Sequence, residues 1–403
     1  MLQSYTAIKQ GGFFSSLFHK SNNTSRHEIS AALIVQATCI TWFITKLIGW
    51  RLWTTQRLFP LAPPFDFLKL PAEGHILLLA ISLMLMMALV FYPTNKKLLL
   101  FLLLSEICSC LLDQTRWQPW QYQFVFIIFI AIINRNKKTT LLTAIAFVTV
   151  STYIYSGIGK LNPGFLYLFW NKMFFNRFLH IDETTITQSW IYYSGYIIAL
   201  IELLLGIGLA FFKTQKLCAW LLILMHVFIL LMVGPFPFSI HYNKSVWPWN
   251  ILMIIQLYLL FIYNNDLKIY TKEIFKGWNT VVVICWGILP AFNHTLGWWD
   301  NFLSSRLFAG NQPQMVLCIK DSNEIKQLRS FINTKDPYNL CNGAALVNLQ
   351  KWSMKELKSP AYIEERVFNK IKNNWIKSHR GTSTKAVMFY YTGPDKIKIV
   401  QTE

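Results

Sequence analysis

The chain has 403 residues, of which 54% are hydrophobic and only 14% charged, whereas an average soluble domain is about 25% charged. Lys and Arg outnumber Asp and Glu by 38 to 19, so the formal net charge is +19. This composition excludes disordered, coiled-coil and ordinary cytosolic proteins. We assign the positive charge to membrane loops, where cations orient helices and meet anionic lipid, and not to a nucleic-acid site.

Residues 1–28 are polar and rich in Ser and Asn, and no small-residue cleavage site follows them. We predict that they form a cytoplasmic N-terminal segment. Insertion into the membrane would then depend on the first apolar run of the chain.

Nine apolar runs follow, each near the length of about 20 residues that crosses a bilayer. They predict an all-α polytopic membrane bundle over 29–299, with about nine spans and a range of eight to ten. The predicted spans are 29–49, 74–92, 98–113, 119–134, 140–159, 190–212, 217–234, 246–263 and 279–297. Pro290 interrupts the last of them, which membrane helices tolerate when neighbouring groups bond the freed carbonyl.

The cations of the connecting segments predict the orientation of the bundle. With the N-terminus inside the cell, the inner segments carry 13 Lys and Arg residues and the outer loops carry eight. This asymmetry follows the positive-inside rule. We therefore predict a protein of the inner (cytoplasmic) membrane with a cytoplasmic N-terminus. The aromatic outer stretch 161–189 is predicted to form an interfacial or re-entrant helix.

Residues 300–403 are predicted to form a small α+β domain in the periplasm, since an odd number of spans places the tail outside the cell. Strands are predicted at 315–319, 344–349, 385–391 and 397–400, a helix at 360–375 and a turn at 393–395. The helix is indicated by apolar residues spaced by four, from Ile363 to Trp375.

The seven cysteines divide between the spans and the tail. Five lie in predicted spans, where free cysteine behaves as a small hydrophobe. Cys318 and Cys341 lie in the tail. Because thiols in an oxidising compartment tend to pair, we predict one disulfide between them.

Ionisable groups within spans are candidates for function, because burying a charge in a bilayer is costly. Glu202 and His226 each lie near the middle of a predicted span. Each has two open interpretations, a polar contact that joins two helices or a member of a functional site.

Further polar residues lie at the predicted outer interface. Asp113 and Arg116 could form an ion pair at the surface, and Lys160, at i+7 from Tyr153, could be an anchor whose ammonium reaches the interface. Their shared depth predicts instead one outer pocket. The residues that share this depth are Lys160, Asp113, Arg116, Lys244, Trp247 and Asn250. Tyr153, Glu202 and His226, on the adjoining parts of the spans, are further candidate site residues.

The segment 153–162, with the sequence YIYSGIGKLN, resembles the HTTM membrane domain of vitamin K-dependent γ-glutamyl carboxylase and many bacterial proteins. The resemblance covers about residues 29–297 and includes the spans that contain Glu202 and His226. It implies that Lys160 is the base that deprotonates a hydroquinone and that His226 is a second catalytic or pocket-lining group. A lysine can act as such a base where desolvation lowers its pKa. The carboxylase has two consecutive lysines, whereas Gly159 precedes Lys160 here.

Two functions remain open from the sequence. The first is a quinone-using or peptide-modifying enzyme of the membrane, centred on Lys160, with a quinone or hydroquinone as the implied cofactor. The second is a non-catalytic membrane component that assembles with, or matures, a secreted or envelope partner. A small-molecule carrier is less favoured because no repeat symmetry is found. The expected partners are lipid and a membrane or secreted protein, and no zinc-ligand spacing is present.

Overall fold

The computed structural model describes residues 25–240, 242–269, 272–379, 384–394 and 396–402. Most of the predicted cytoplasmic segment 1–28 therefore lies outside the described residues. The described chain forms a helical bundle followed by a small antiparallel sheet with its own helices.

Nine apolar helices and one helix of the aromatic loop make up the bundle. They are α1 (Arg26–Ile48), α2 (Ala72–Phe91), α3 (Lys96–Leu112), α4 (Pro119–Ile133), α5 (Lys138–Lys160), α6 (Pro163–Phe165, continued by the π-helical Leu166–Phe178), α7 (Trp190–Leu209), α8 (Gln215–Val233), α9 (Val246–Tyr263) and α10 (Asn279–Leu296). The helix predicted for the aromatic loop is thus present as α6.

Seven of these helices are long and apolar enough to cross a membrane, which confirms a multi-pass membrane architecture. The other two predicted spans, 98–113 and 119–134, correspond to α3 and α4. These helices have 17 and 15 residues, fewer than the about 20 that a bilayer requires. Local signals set several boundaries, such as the capping box of Ser25 and Glu28 that begins α1.

Helix α5 occupies the centre of the bundle and α2 its periphery. In the apolar 18-residue segment of α5, 78% of the residues are buried against protein. In the corresponding segment of α2 only 22% are buried. Polar side chains tie the helices together at one end of the bundle, where His27 bonds Thr139 at 3.0 Å and Asn134 bonds Asn279 at 2.7 Å. The end of α4 therefore lies at the same end of the bundle as the starts of α1, α5 and α10. These three helices run antiparallel to α4.

The C-terminal domain contains four strands in the order β2-β1-β3-β4, all antiparallel. Its elements are β1 (Gln314–Ile319), α11 (Ser322–Gln327), β2 (Ala345–Asn348), α12 (Leu349–Glu356), α13 (Glu365–Ser378), β3 (Lys385–Gly393) and β4 (Lys396–Thr402). All four predicted strands are present. The predicted helix begins at Glu365, five residues later than expected, and Asp395 of the predicted turn lies outside the described residues.

The predicted disulfide is confirmed. Cys318 of β1 and Cys341 are bonded, with their Cα atoms 5.2 Å apart. The bridge fastens the connection between α11 and β2 to the sheet. The other cysteines are free.

The sheet domain packs on the end of the bundle at which α1 and α3 finish. The carboxylate of Glu356 accepts the backbone N–H groups of Leu58 (2.6 Å) and Phe59 (2.9 Å). The hydroxyls of Tyr122 and Tyr362 lie 2.6 Å apart. The domain therefore closes the end of the bundle at which Lys160 is found.

Candidate functional site

Lys160 is the last residue of α5, and its side chain turns back along the helix. Its Nζ donates to Ser156 Oγ at 2.8 Å and lies 2.5 Å from Glu202 Oε2. The two charged side chains are only 15% and 9% exposed. An interfacial anchor would extend its ammonium towards water, so this lysine serves a contact inside the bundle.

Two glycines allow Glu202 to reach Lys160, because they let α5 and α7 touch through their backbones. A Cβ at Gly157 would lie 2.6 Å from the backbone nitrogen of Leu203, and a Cβ at Gly206 would lie 2.8 Å from Cβ of Tyr153. Small residues produce this kind of close helix crossing in membranes. The pair is therefore a consequence of how α5 packs against α7.

His226 of α8 is held on both sides of its ring. Nδ1 is 2.7 Å from Asn250 Oδ1, and Nε2 is 2.6 Å from the hydroxyl of Tyr153. The amide nitrogen of Asn250 donates to the carbonyl of Val246 at 2.9 Å, so its oxygen faces the ring. We assign the proton of a neutral His226 to Nδ1, which leaves Nε2 to accept from Tyr153.

These two groups line one cavity of about 80 Å³ between α5, α7, α8 and α9. Trp249, Met253 and Trp286 form apolar walls. The segment that joins α10 to the sheet domain closes the cavity through Phe302, Ser305, Leu307 and Phe308. The cavity therefore lies inside the bundle, beneath the C-terminal domain.

The closing segment contains two residues in the left-handed backbone region, Ser305 (φ 56°) and Phe308 (φ 60°). This conformation is rare for a bulky residue and persists where neighbouring contacts enforce it. The ring of Phe308 packs edge-on against Phe169 of α6 at 5.2 Å. The aromatic helix thus supports the closing segment.

The arrangement is suited to proton transfer. Lys160 donates to Glu202, and Tyr153 lies within hydrogen-bond distance of His226, so two donor–acceptor pairs line one buried space. The cavity is smaller than an engineered cavity of about 150 Å³ that holds benzene. A quinone ring therefore does not fit in this conformation, whereas water or a small polar group does.

Asp113 and Arg116 belong to a different cluster and do not line this cavity. Asp113 pairs with Arg57 and accepts the backbone N–H of Ala62 at 3.1 Å. Arg116 donates to the carbonyls of Leu52 and Trp53, both at 3.0 Å. These contacts join the segment that follows α1 to the turn between α3 and α4, which is a structural role.

In this cluster, the carboxylate of Asp113 and the guanidinium groups of Arg57 and Arg116 stabilise one another in their charged forms. Burial opposes ionisation of Asp113, but the nearby Arg57 and Arg116 hold its pKa below the ordinary value of 3.8. Burial lowers the pKa of Arg116 to about 10, and Asp113 opposes that effect. Both groups stay charged at neutral pH and form a buried ionic contact, not the surface pair that one interpretation of the sequence offered.

Lys244 and Trp247 lie in a third place. The ammonium of Lys244 is 5.8 Å from the ring centroid of Trp247. Trp247 lines an apolar groove between α1 and α9, whereas Asn250 of the same helix faces the cavity. The single predicted pocket is therefore divided. Lys160, Tyr153, Glu202, His226 and Asn250 share the cavity, whereas Asp113, Arg116, Lys244 and Trp247 do not line it.

One further buried ion pair escaped the sequence reasoning. Nζ of Lys46 lies 2.9 Å from Glu106, and both side chains are at most 1% exposed. The ammonium also lies 3.6 Å from the centroid of the Trp53 ring, which is a cation–π contact. A cation inside one predicted span and a carboxylate inside another were the available signal. The sequence could not show that the two helices meet.

Comparison of the chain with protein-family models, with curated proteins and with solved structures finds no match. The resemblance to the HTTM domain therefore rests on the segment 153–162 and on the spans that contain Glu202 and His226.

Proposed function

We propose that the protein is an HTTM-like membrane enzyme that transfers protons in the cavity between α5, α7, α8 and α9. The observation that carries this proposal is the meeting of Lys160 and Glu202 with Tyr153 and His226 around one buried space. Ionisable residues inside spans are rare and usually functional. Three different helices supply them here.

In this proposal Lys160 is the base. Passing its proton to Glu202 leaves a neutral amine, which can accept a proton from a substrate placed in the cavity. Asn250 orients His226, and the hydrogen bond between His226 and Tyr153 offers a second path for a proton. The dry walls strengthen each of these interactions.

The size of the cavity favours a small reacting group as substrate. A peptide side chain or a small molecule would satisfy this limit, so the peptide-modifying form of the hypothesis is preferred to the quinone form. The substrate would enter by displacing the closing segment around Phe308, which lines the cavity and joins α10 to the sheet domain.

The proposed topology has nine spans, a cytoplasmic N-terminus and a periplasmic sheet domain in the inner membrane. The 13-to-8 asymmetry of loop cations supports it. The disulfide agrees with an oxidising compartment. Helices α3 and α4 are short for spans, but ten residues of α4 are buried against protein, so lipid need not cover its full length.

The test compares variants at Lys160, His226 and Lys244, each expressed in a strain that lacks the gene. Lys160→Gln keeps a donor for Glu202, so the bundle should remain folded. Lys244→Gln is the control, because Lys244 lies outside the cavity. Secreted proteins and lipids of the complemented strains are compared by mass spectrometry.

We expect that the product lost with the gene returns with wild type and Lys244→Gln, but not with Lys160→Gln or His226→Gln. Size-exclusion chromatography of each variant checks that it is folded. A folded Lys160→Gln protein that restores the product in full would refute the proposal.

The second candidate, a non-catalytic component that binds a secreted or envelope protein, is favoured by one feature of the sheet domain. Strand β4 forms an edge of the sheet, and it exposes Ile399 (50%) and Val400 (49%). Such an edge can accept an extended segment of another protein as an additional strand. A photo-crosslinker at Ile399 should capture this partner in cells, whereas a crosslinker at Lys213, beyond the far end of α7, should not.

A further inference from the structure

A long groove lies on the side of the bundle, separate from the proton-transfer cavity. It has a volume of about 1550 Å³ and runs between α1 and α9. Residues of α1 from Glu28 to Ile48 line it, which corresponds to about 30 Å of helix. Its volume exceeds the about 300–1,000 Å³ of a small-molecule site.

The walls of the groove are apolar along most of its length. On α1, Ile40 and Ile44 are 44% and 42% exposed, and on α9, Ile251 is 46% exposed. The small side chains of Ala32 and Ala37 also line the groove and make it deeper. In a membrane this surface faces acyl chains, so its occupant must carry a long apolar part.

Charge is confined to one end of the groove, the end opposite the sheet domain. Arg135 and Lys138 line this end together with Thr94 and Asn136. Within the described residues, neither cation lies within 4 Å of a carboxylate oxygen. Glu28 is near enough to attract Lys138, so the end carries two cations and one anion and keeps a net positive charge. Glu28 also lines this end, where its carboxylate accepts the backbone N–H of Ser25 and caps α1.

We propose that this groove binds one anionic phospholipid, with its phosphate on Arg135 and Lys138 and its acyl chains along α1 and α9. Basic pockets between membrane helices recognise anionic headgroups in this way. The two cations supply the charge complement, and Thr94 and Asn136 offer neutral hydrogen-bonding groups beside them. The site is independent of the proposed reaction, because α9 separates it from the cavity.

The test uses the full chain reconstituted in vesicles of equimolar phosphatidylglycerol and phosphatidylethanolamine. After extraction in mild detergent, native mass spectrometry counts the phospholipids that remain bound. The double variant Arg135→Gln/Lys138→Gln removes the cations of the groove. Lys96→Gln/Lys97→Gln is the matched control, because it removes two exposed cations at the same end of the bundle, outside the groove.

We expect wild type and the control to retain one phosphatidylglycerol. The groove variant should bind this lipid about 30-fold more weakly, because two basic residues that normally strengthen binding to an anionic lipid are lost. Ala32→Trp should also reduce retention by filling the groove, whereas Leu204→Trp, on the exposed side of α7, should not. Equal losses in both double variants, equal retention of the two lipids, or no retained lipid in wild type would each overturn the proposal.

Discussion

The ammonium of Lys46 and the carboxylate of Glu106 are buried together among apolar helices. Removing one partner of a buried pair leaves the other charge without compensation, which costs about 3–5 kcal/mol. We therefore expect Lys46→Met to lower the free energy of unfolding by about that amount. Lys97→Met, at an exposed position, should change it by less than about 0.5 kcal/mol.

Thermal unfolding in detergent measures both variants. The double variant Lys46→Met/Glu106→Gln should recover part of the loss, because no unpaired charge remains. Equal stability of wild type and Lys46→Met would show that the pair contributes nothing to the fold.

Asp113 gives a dependence on pH whose sign follows from its surroundings. Its folded pKa lies below the ordinary value of 3.8, because Arg57 and Arg116 outweigh the effect of burial. The ionised carboxylate therefore contributes stability above about pH 4, and this contribution is lost as the pH falls through the folded pKa. We expect Asp113→Asn to be less stable than wild type at pH 7 and the difference to shrink below about pH 4.

Melting temperatures of the two proteins between pH 3 and pH 8 measure this effect. Glu73→Gln provides the control, since that carboxylate lies at an exposed position in the first turn of α2. A difference between wild type and Asp113→Asn that stays constant over the whole range would contradict the argument.

At the scale of elements, the crossing of α5 and α7 determines the geometry of the cavity. A Cβ at Gly206 would lie 2.8 Å from Cβ of Tyr153 and 2.9 Å from the backbone nitrogen of Ile154. Gly206→Ala must therefore push the two helices apart, at an overpacking cost of about 1–3 kcal/mol. We expect a lower melting temperature, with Gly393→Ala as a control that meets no atom within 4 Å.

The sheet domain depends on its disulfide. Opening the Cys318–Cys341 bridge frees a loop with a sequence separation of 23 residues, which corresponds to about 3 kcal/mol in the chain-entropy model. We expect Cys341→Ser to make the domain sensitive to limited proteolysis, whereas Cys108→Ser, at an exposed free thiol, should have no effect. Equal proteolysis rates would refute this role of the bridge.

The sequence predicted most elements but not their arrangement around the bundle. Strands β1 and β3 were found from their apolar runs, and the early helix boundary at 360 resulted from an extended segment that follows Pro360. Helices α11 and α12 were missed because each has at most eight residues and its main signal is one N-cap side chain, Asp321 or Asn348.

The candidate site shows the same limit. Spans and loop charges give the depth of a residue in the membrane, and on that basis Arg116 and Lys160 were placed in one pocket. Depth does not give the direction in which a side chain points around the bundle. That direction depends on packing between distant segments, such as the contact of α5 with α7, which a single sequence does not encode in a readable pattern.

At the scale of the whole molecule, the distribution of the cations and the position of the sheet domain together predict which side of the membrane the cavity faces. The inner segments carry more Lys and Arg than the outer loops, and the domain packs on the end of the bundle where Lys160 lies. If the positive-inside rule holds, both the domain and the opening of the cavity face the periplasm. The reaction would then act on a substrate that has already left the cytoplasm.

Reporter fusions test this orientation. Alkaline phosphatase fused after Glu403 should be active and green fluorescent protein at the same position should be dark, because the first reporter works only outside the cytoplasm and the second only inside. Fusions after Lys213, in the predicted inner connection between α7 and α8, should give the opposite pair of signals. A fluorescent fusion after Glu403 with inactive phosphatase would place the domain in the cytoplasm. The cavity would then open towards cytoplasmic substrates, and the disulfide would have to persist in a reducing compartment.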